Sequence, residues 1–170
     1  GYAIGYDIFE GSIYEGHTLI PFLEKISIKF NLDKPIVVAD AGLLSNENIK
    51  ALEEKKYQYI IGARLKNEPQ RIKQQILAKP LSNGEIIIIP KSNETRLIVA
   101  YANNRALKDE HNRKRGLQRL EKQIKTGNLT KSNINNKGYN KYLKMEGNIT
   151  IKIDYEKFNT DNCWDGLKGY

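Results

Sequence analysis

The sequence predicts an α/β fold. Two observations carry this reading. "PIVVAD", residues 35–40, is short and continuously apolar, as a strand covered on both faces should be. Around it, strand-like and helix-like segments alternate in the order strand, helix, strand, helix, strand, which implies parallel pairing through right-handed crossovers.

The elements follow in order. "YAIGYDIFEG", residues 2–11, alternates imperfectly, carries Tyr, Ile and Phe, and reads as a strand ended by Gly11. Leu19, Phe22, Leu23, Ile26 and Phe30 are spaced at three and four and predict a helix. His17 or Thr18 would open it, and Pro21 is tolerated in its first turn. After "PIVVAD", Ser45 is a natural N-cap for "NENIKALEEKK", with Glu47 in the first turn and Ile49 and Leu52 on the inner face. "YQYIIGAR" is the next strand. After Arg64 the pattern changes. "NEPQRIKQQILAK" predicts a short helix, and "GEIIIIP" and "TRLIVAYA" two strands joined by a hairpin at "KSNE". "GEIIIIP" is aggregation-prone if exposed, which predicts a place inside a sheet. A long helix is expected from about Arg105 to Thr126, with Leu117, Leu120 and Ile124 as a narrow apolar stripe. "GNLTKSNINNKGYN" reads as a loop, "NITIKIDYEKF" as a strand with one wet face, and "WDGLKGY" as the start of a final strand.

At 170 residues the chain suits one domain and can bury a real core. No apolar run approaches the ~20 residues of a membrane span, and there is no basic-then-apolar opening of a secretory signal. The lone Cys163 cannot close an internal disulfide, which points to a reducing compartment. His17, His111 and Cys163 lack zinc-ligand spacing. The opening on Gly1, inside an apolar pattern and without an initiator Met, predicts a piece of a longer protein. The net charge of +8 is uneven: Arg105–Met145 holds twelve Lys/Arg against three Asp/Glu. Such a segment is either a solvated face or a surface for a polyanion.

Asp40 is the residue that raises a question of chemistry. It closes an apolar strand, and Ala41-Gly42 leaves little bulk beside it. Open parallel sheets place functional groups at the carboxyl ends of their strands. A carboxylate there is either a turn residue or a ligand for a hard cation such as magnesium. Arg64 follows the next parallel strand on the same sheet edge and could contact a phosphate or pair with an acid, with Lys66 as a weaker companion. Trp164 suits a core anchor better than a base-stacking role. Asp161 and Asp165 read as turn residues.

"IGYDIFEGSIYEGHTLIPFLEKI", "IVVADAGLLSNENIKALEEKKYQYIIGARLK", "NNRALKDEHNRKRGLQRLEKQI", "KGYNKYLKMEG" and "DNCWDGLKGY" together resemble the DDE transposases of bacterial insertion sequences, in the insertion-sequence-four superfamily. The second segment is the most specific, and Asp40 takes the place of the family's second catalytic Asp. The resemblance implies a ribonuclease H-like (retroviral-integrase-like) α/β core with a mixed sheet, incomplete in this chain, over residues 1–66. It implies an α+β insertion region over 67–160 and a return to the core at 161–170. It implies two Mg2+ or Mn2+ ions, with Asp40 as catalytic residue and metal ligand. The first Asp is expected before Gly1 and the catalytic Glu after Tyr170, so the chain alone is expected to be inactive. The partner implied is duplex DNA, at transposon ends and target, with Arg64, Lys66, Arg113, Lys114, Arg115 and Arg119 as contacts. A homodimer of the intact protein and a place on the bacterial nucleoid, in the cytoplasm, also fit. The alternative is a non-catalytic, doubly wound nucleic-acid-binding or signalling module with a basic appendage.

Overall fold

The computed structural model describes residues 2–13, 15–43, 45–92, 94–147 and 150–170. The chain is mixed α/β, with several helices and three small sheets. It divides into two compact units. The first comprises residues 1–70, 88–98 and 168–170, and the second 71–87 and 99–167.

In the first unit, helix α1 (Leu19–Phe30) is entered through a 3-10 turn at Glu15–Thr18 and stops at Asn31, whose left-handed φ of 49° ends the helix. Strand β1 (Val37–Ala39), helix α2 (Asn46–Glu54) and strand β2 (Tyr59–Ile61) form the parallel crossover that the alternation predicts, in the register Val37 to Tyr59, Val38 to Ile60, Ala39 to Ile61. Ser45 caps α2 as its sequence position implies: its Oγ accepts the Asn48 backbone N–H at 3.1 Å. One strand face packs inward because strand side chains alternate. Val37 and Ile61 join Leu19 and Leu23 of α1 and Leu52 of α2 in a buried cluster, and Leu52 is wholly enclosed. Each such side chain contributes about 1.5–3 kcal/mol.

Two expectations fail in this unit. Residues 2–10 are irregular, not a strand. A strand needs a neighbour for its backbone ladder, and none pairs with this segment among the described residues. The segment is tied down instead by Asp7, whose carboxylate accepts the Ile8 N–H and pairs with Lys25 of α1 at 2.8 Å. Nor is "PIVVAD" covered on both faces: Val38 is 74% exposed, and Ile60, its register partner, is exposed beside it.

A three-stranded sheet has the order β3-β4-β7, with β3 spanning Ile86–Pro90, β4 Arg96–Tyr101 and β7 Leu167–Gly169. The predicted final strand is therefore present, and within the first unit its end pairs with β4 through Ile98 and Tyr170. The expected hairpin turn closes with the Lys91 and Ser92 N–H groups donating to Thr95 O; Asn93 within it lies outside the described residues. "GEIIIIP" does not sit inside the sheet as expected. β3 is at its edge, with Ile86 and Ile88 exposed.

The second unit contains α3 (Gln70–Ile76, except its first residue) and the long helix α4 (Asn103–Lys125). It also holds the antiparallel pair β5 (Leu143–Glu146) and β6 (Thr150–Ile153), and helix α5 (Tyr155–Thr160). Its core joins Leu120, Tyr142, Leu143, Ile153 and Phe158. The expected strand over "NITIKIDYEKF" ends at Ile153, and its first residues, Asn148 and Ile149, lie outside the described residues. Asp154 breaks it by accepting the Lys157 N–H at 3.1 Å and capping α5. Strand β5 has no counterpart in the sequence reading. Among the described residues, no helix is long and apolar enough to cross a membrane.

Burial and a hydrogen bond donated to Glu53 (2.9 Å) push the Tyr59 hydroxyl up to about 12. An unfolded chain releases that proton near pH 10. The raised value therefore stabilises the fold below pH 10, and this contribution is lost between about pH 10 and 12. Tyr59→Phe should flatten the alkaline limb of stability against pH, measured by urea unfolding from pH 9 to 12.

Candidate functional site

Asp40 leaves the carboxyl end of β1 and is exposed. Its Oδ1 accepts the backbone N–H of Gly42 at 2.7 Å. This is the local turn that short acidic side chains form with the residue two further on. The second oxygen makes no hydrogen bond among the described residues. Asp40 is thus a turn former with one oxygen still open to a ligand.

Two residues that sequence reasoning passed over hold this turn. The Gly62 N–H donates to Ala39 O at 3.0 Å, which carries the β1–β2 ladder one step past β2. A Cβ on Gly62 would lie 2.9 Å from the Ala41 nitrogen and 3.3 Å from the Asp40 carbonyl carbon. Only glycine lets the two backbones approach so closely. Asn48, on the inner face of α2, is a buried polar residue. Its side-chain amide donates to Leu43 O at 2.9 Å, which pins the far side of the turn. The signal for Asn48 was its spacing of four from Leu52, which placed an amide on an apolar face. The signal for Gly62 was a glycine directly after the strand that pairs with the Asp40 strand.

Arg64 lies two residues beyond Gly62, exposed, at the entry to a 3-10 turn spanning Leu65–Asn67. Lys66 is exposed within that turn. Because β1 and β2 are parallel, Asp40, Arg64 and Lys66 all follow carboxyl ends of strands. No ion pair joins Asp40 to Arg64 among the described residues.

The basic residues of α4 divide by environment. The Arg113 side chain is only 11% exposed and pairs with Asp165, its guanidinium 5.0 Å from the Phe158 ring centre. The hydrogen bond to Asp165 holds Arg113 still more firmly protonated than usual. Nearby, the wholly buried Tyr142 hydroxyl donates to Asp161 at 2.5 Å, and Lys141 donates to the same oxygen at 2.6 Å. Burial first, then the hydrogen bond to Asp161, pushes the Tyr142 hydroxyl well above its ordinary value. Asp109 accepts the Gly166 N–H at 3.1 Å. Asp161 and Asp165, read as turn residues, are therefore the anionic half of an internal network that fastens α4 and the 138–142 turn to residues 161–166. Lys114 pairs with Glu110 one turn back at 2.5 Å. Arg115 donates to the Asn112 side-chain oxygen at 3.5 Å, and neither it nor the exposed Arg119 makes an ion pair among the described residues. Trp164 is half-buried in a 3-10 turn spanning Asp161–Trp164, and Cys163 beside it is exposed.

Among the described residues there is no group of three or more His, Cys, Asp or Glu that could hold a metal ion. Asp40 is a single hard-oxygen donor.

Gly62→Ala should cost about 1–3 kcal/mol through the close approach, and Asn48→Ala a similar amount by orphaning Leu43 O; urea unfolding measures both. Arg113→Gln should cost about 2 kcal/mol, since it leaves Asp165 without its partner. A loss below 0.5 kcal/mol would put Arg113 outside the internal network.

Searches of curated proteins and of solved structures gave no match to the chain. The family model described as the transposase DDE domain matches residues 1–146. That span includes the Asp40 turn, Arg64, Lys66 and the whole of α4, and the chain accordingly belongs to the transposase DDE domain family.

Proposed function

We propose that the intact protein cuts and rejoins DNA at transposon ends by metal-dependent strand cleavage and strand transfer. Asp40 is its catalytic carboxylate on this chain. The observation that carries the reading is the Asp40 turn. An exposed carboxylate with one uncommitted oxygen stands at the carboxyl end of a parallel strand, fixed by Gly62 and Asn48, in a chain of this family. The motif segments quoted above favour the insertion-sequence-four branch and a ribonuclease H-like core.

The donor chemistry fits magnesium or manganese in part. Such ions take one or two protein carboxylates and complete their shell with water and substrate phosphate. Asp40 would supply one oxygen. The ion, when bound, supplies charge stabilisation for an in-line displacement at phosphorus. The chain's own part is to present that oxygen in a fixed place: Gly42 N–H holds Oδ1, and the Gly62 approach sets the backbone beneath it. Arg64 and Lys66 follow strand ends on the same side and are suited to phosphate oxygens of the DNA. The basic segment Arg105–Met145 would add non-specific attraction to duplex DNA.

One carboxylate supplies too few ligands to fix two ions, so the 170-residue chain with Mg2+ or Mn2+ should cut nothing. In the intact protein, Asp40→Asn should abolish end cleavage and strand transfer while end binding persists, because other contacts carry recognition. The assay is cleavage of a labelled transposon-end duplex, with binding measured in parallel. If the Asn variant cuts at the parental rate, Asp40 is a turn residue only.

A further inference from the structure

Helix α4 turns by about 100° per residue, which fixes the direction of every side chain around its axis. Gly116, Leu120 and Ile124 mark the side that faces the second unit's core; Gly116 and Leu120 are buried and Ile124 packs against the cluster. A Cβ on Gly116 would collide with the Tyr139 ring, at 2.3 Å. Arg113 and Asp109, which fasten to Asp165 and Gly166, lie on that same side. Diametrically opposite runs a stripe of Lys108, His111, Arg115, Arg119 and Lys122, at steps of three and four, all exposed.

The stripe holds four formal cations and no acid. The helix's three acids, Asp109, Glu110 and Glu121, lie away from it. None of Lys108, Arg115, Arg119 or Lys122 makes an ion pair among the described residues, whereas Lys114, off the stripe, pairs with Glu110. A face built for solvation alone mixes charges, because oppositely charged residues at i,i+4 support a helix and like charges oppose it. Here Arg115–Arg119 and Arg119–Lys122 are like-charged neighbours. An anionic partner would offset that repulsion, which is a few tenths of a kcal/mol per pair.

We infer that this stripe is a docking surface for the phosphate backbone of duplex DNA. The inference rests on the transposase reading for its partner and deepens it by naming the surface. From Lys108 to Lys122 the stripe runs about 21 Å, at 1.5 Å per residue. That length is comparable with about six base-pair steps at 3.4 Å each. α4 carries no Phe, Tyr or Trp on which an unpaired base could stack. The stripe therefore tracks phosphates without reading sequence. The run Arg113-Lys114-Arg115, contiguous in sequence, is split by the helix. Arg113 is internal, Lys114 is paired on the flank, and only Arg115 belongs to the docking surface.

The test uses the 170-residue chain and a fluorescent duplex of random sequence, with binding measured from 50 to 300 mM salt. One variant carries Lys108→Gln, Arg115→Gln, Arg119→Gln and Lys122→Gln. A charge-matched control carries Lys79→Gln, Lys114→Gln, Lys144→Gln and Lys152→Gln, all cations that pair with an acid within the second unit. The stripe variant should weaken binding at 100 mM salt by at least about tenfold and cut the slope of log K against log salt by about three to four. The control should leave the slope within about one of wild type. Equal losses in both variants, an unchanged slope in the stripe variant, no duplex binding by wild type, or tighter binding to single strands would each overturn the surface. Failure of the transposase reading shows separately, as no cleavage of a transposon-end duplex by the intact parental protein with Mg2+ or Mn2+.

Discussion

The backbone of Gly62 lies against that of Asp40 and Ala41 with no space for a side chain, and the candidate site depends on that approach. It continues the β1–β2 ladder to the point where β1 gives way to a turn. The Asp40 carboxylate then closes the turn on Gly42, and Asn48 closes it from the side of α2. Three short hydrogen bonds and one steric limit thus convert a mobile chain reversal into a platform with a defined carboxylate oxygen. A ligand that needs an oxygen at one position gains from such preorganisation, because little ordering remains to be done on binding.

The second unit solves a different problem with charge. Its core is small, and Tyr142 and Arg113 bring polar groups to its margin. Both find acids at 161–165. Pairing at a partly dry site adds less than the bare attraction suggests, because both charges surrender water. The network's value is directional. It commits α4 to one rotation about its axis, through Arg113 and Asp109 as well as the buried Leu120.

The parallel crossover was legible because its signals were local and redundant. Ser45 capped α2, apolar runs marked β1 and β2, and helical spacing marked α1 and α4. The uncovered face of β1 was not legible. "IVVA" has the composition of a doubly covered strand, and composition records what a strand suits rather than what lies on it among these residues. Residues 2–10 failed for the same reason, since strand character in a sequence becomes a strand only where a neighbour supplies a ladder. At the site, Asp40 was readable from its place after β1. Gly62 and Asn48 were not, because one acts through an absent side chain and the other through a single amide. Among the basic residues, adjacency in sequence misled: Arg113, Lys114 and Arg115 point in three directions, while Lys108, Arg115 and Lys122, spaced by seven, share one.

The fastening of α4 by Asp109 and Arg113 has an evolutionary consequence. Each inserted or deleted residue rotates everything beyond it by about 100°. A single-residue indel between Arg113 and Arg119 would leave the anchors in place and carry Arg119 and Lys122 around toward the helix flank. The helix can therefore exchange outward residues without disturbing its packing, but it can change length only by near-whole turns, about three or four residues at a time or seven for two turns. Among relatives, α4 should vary in composition long before it varies in length.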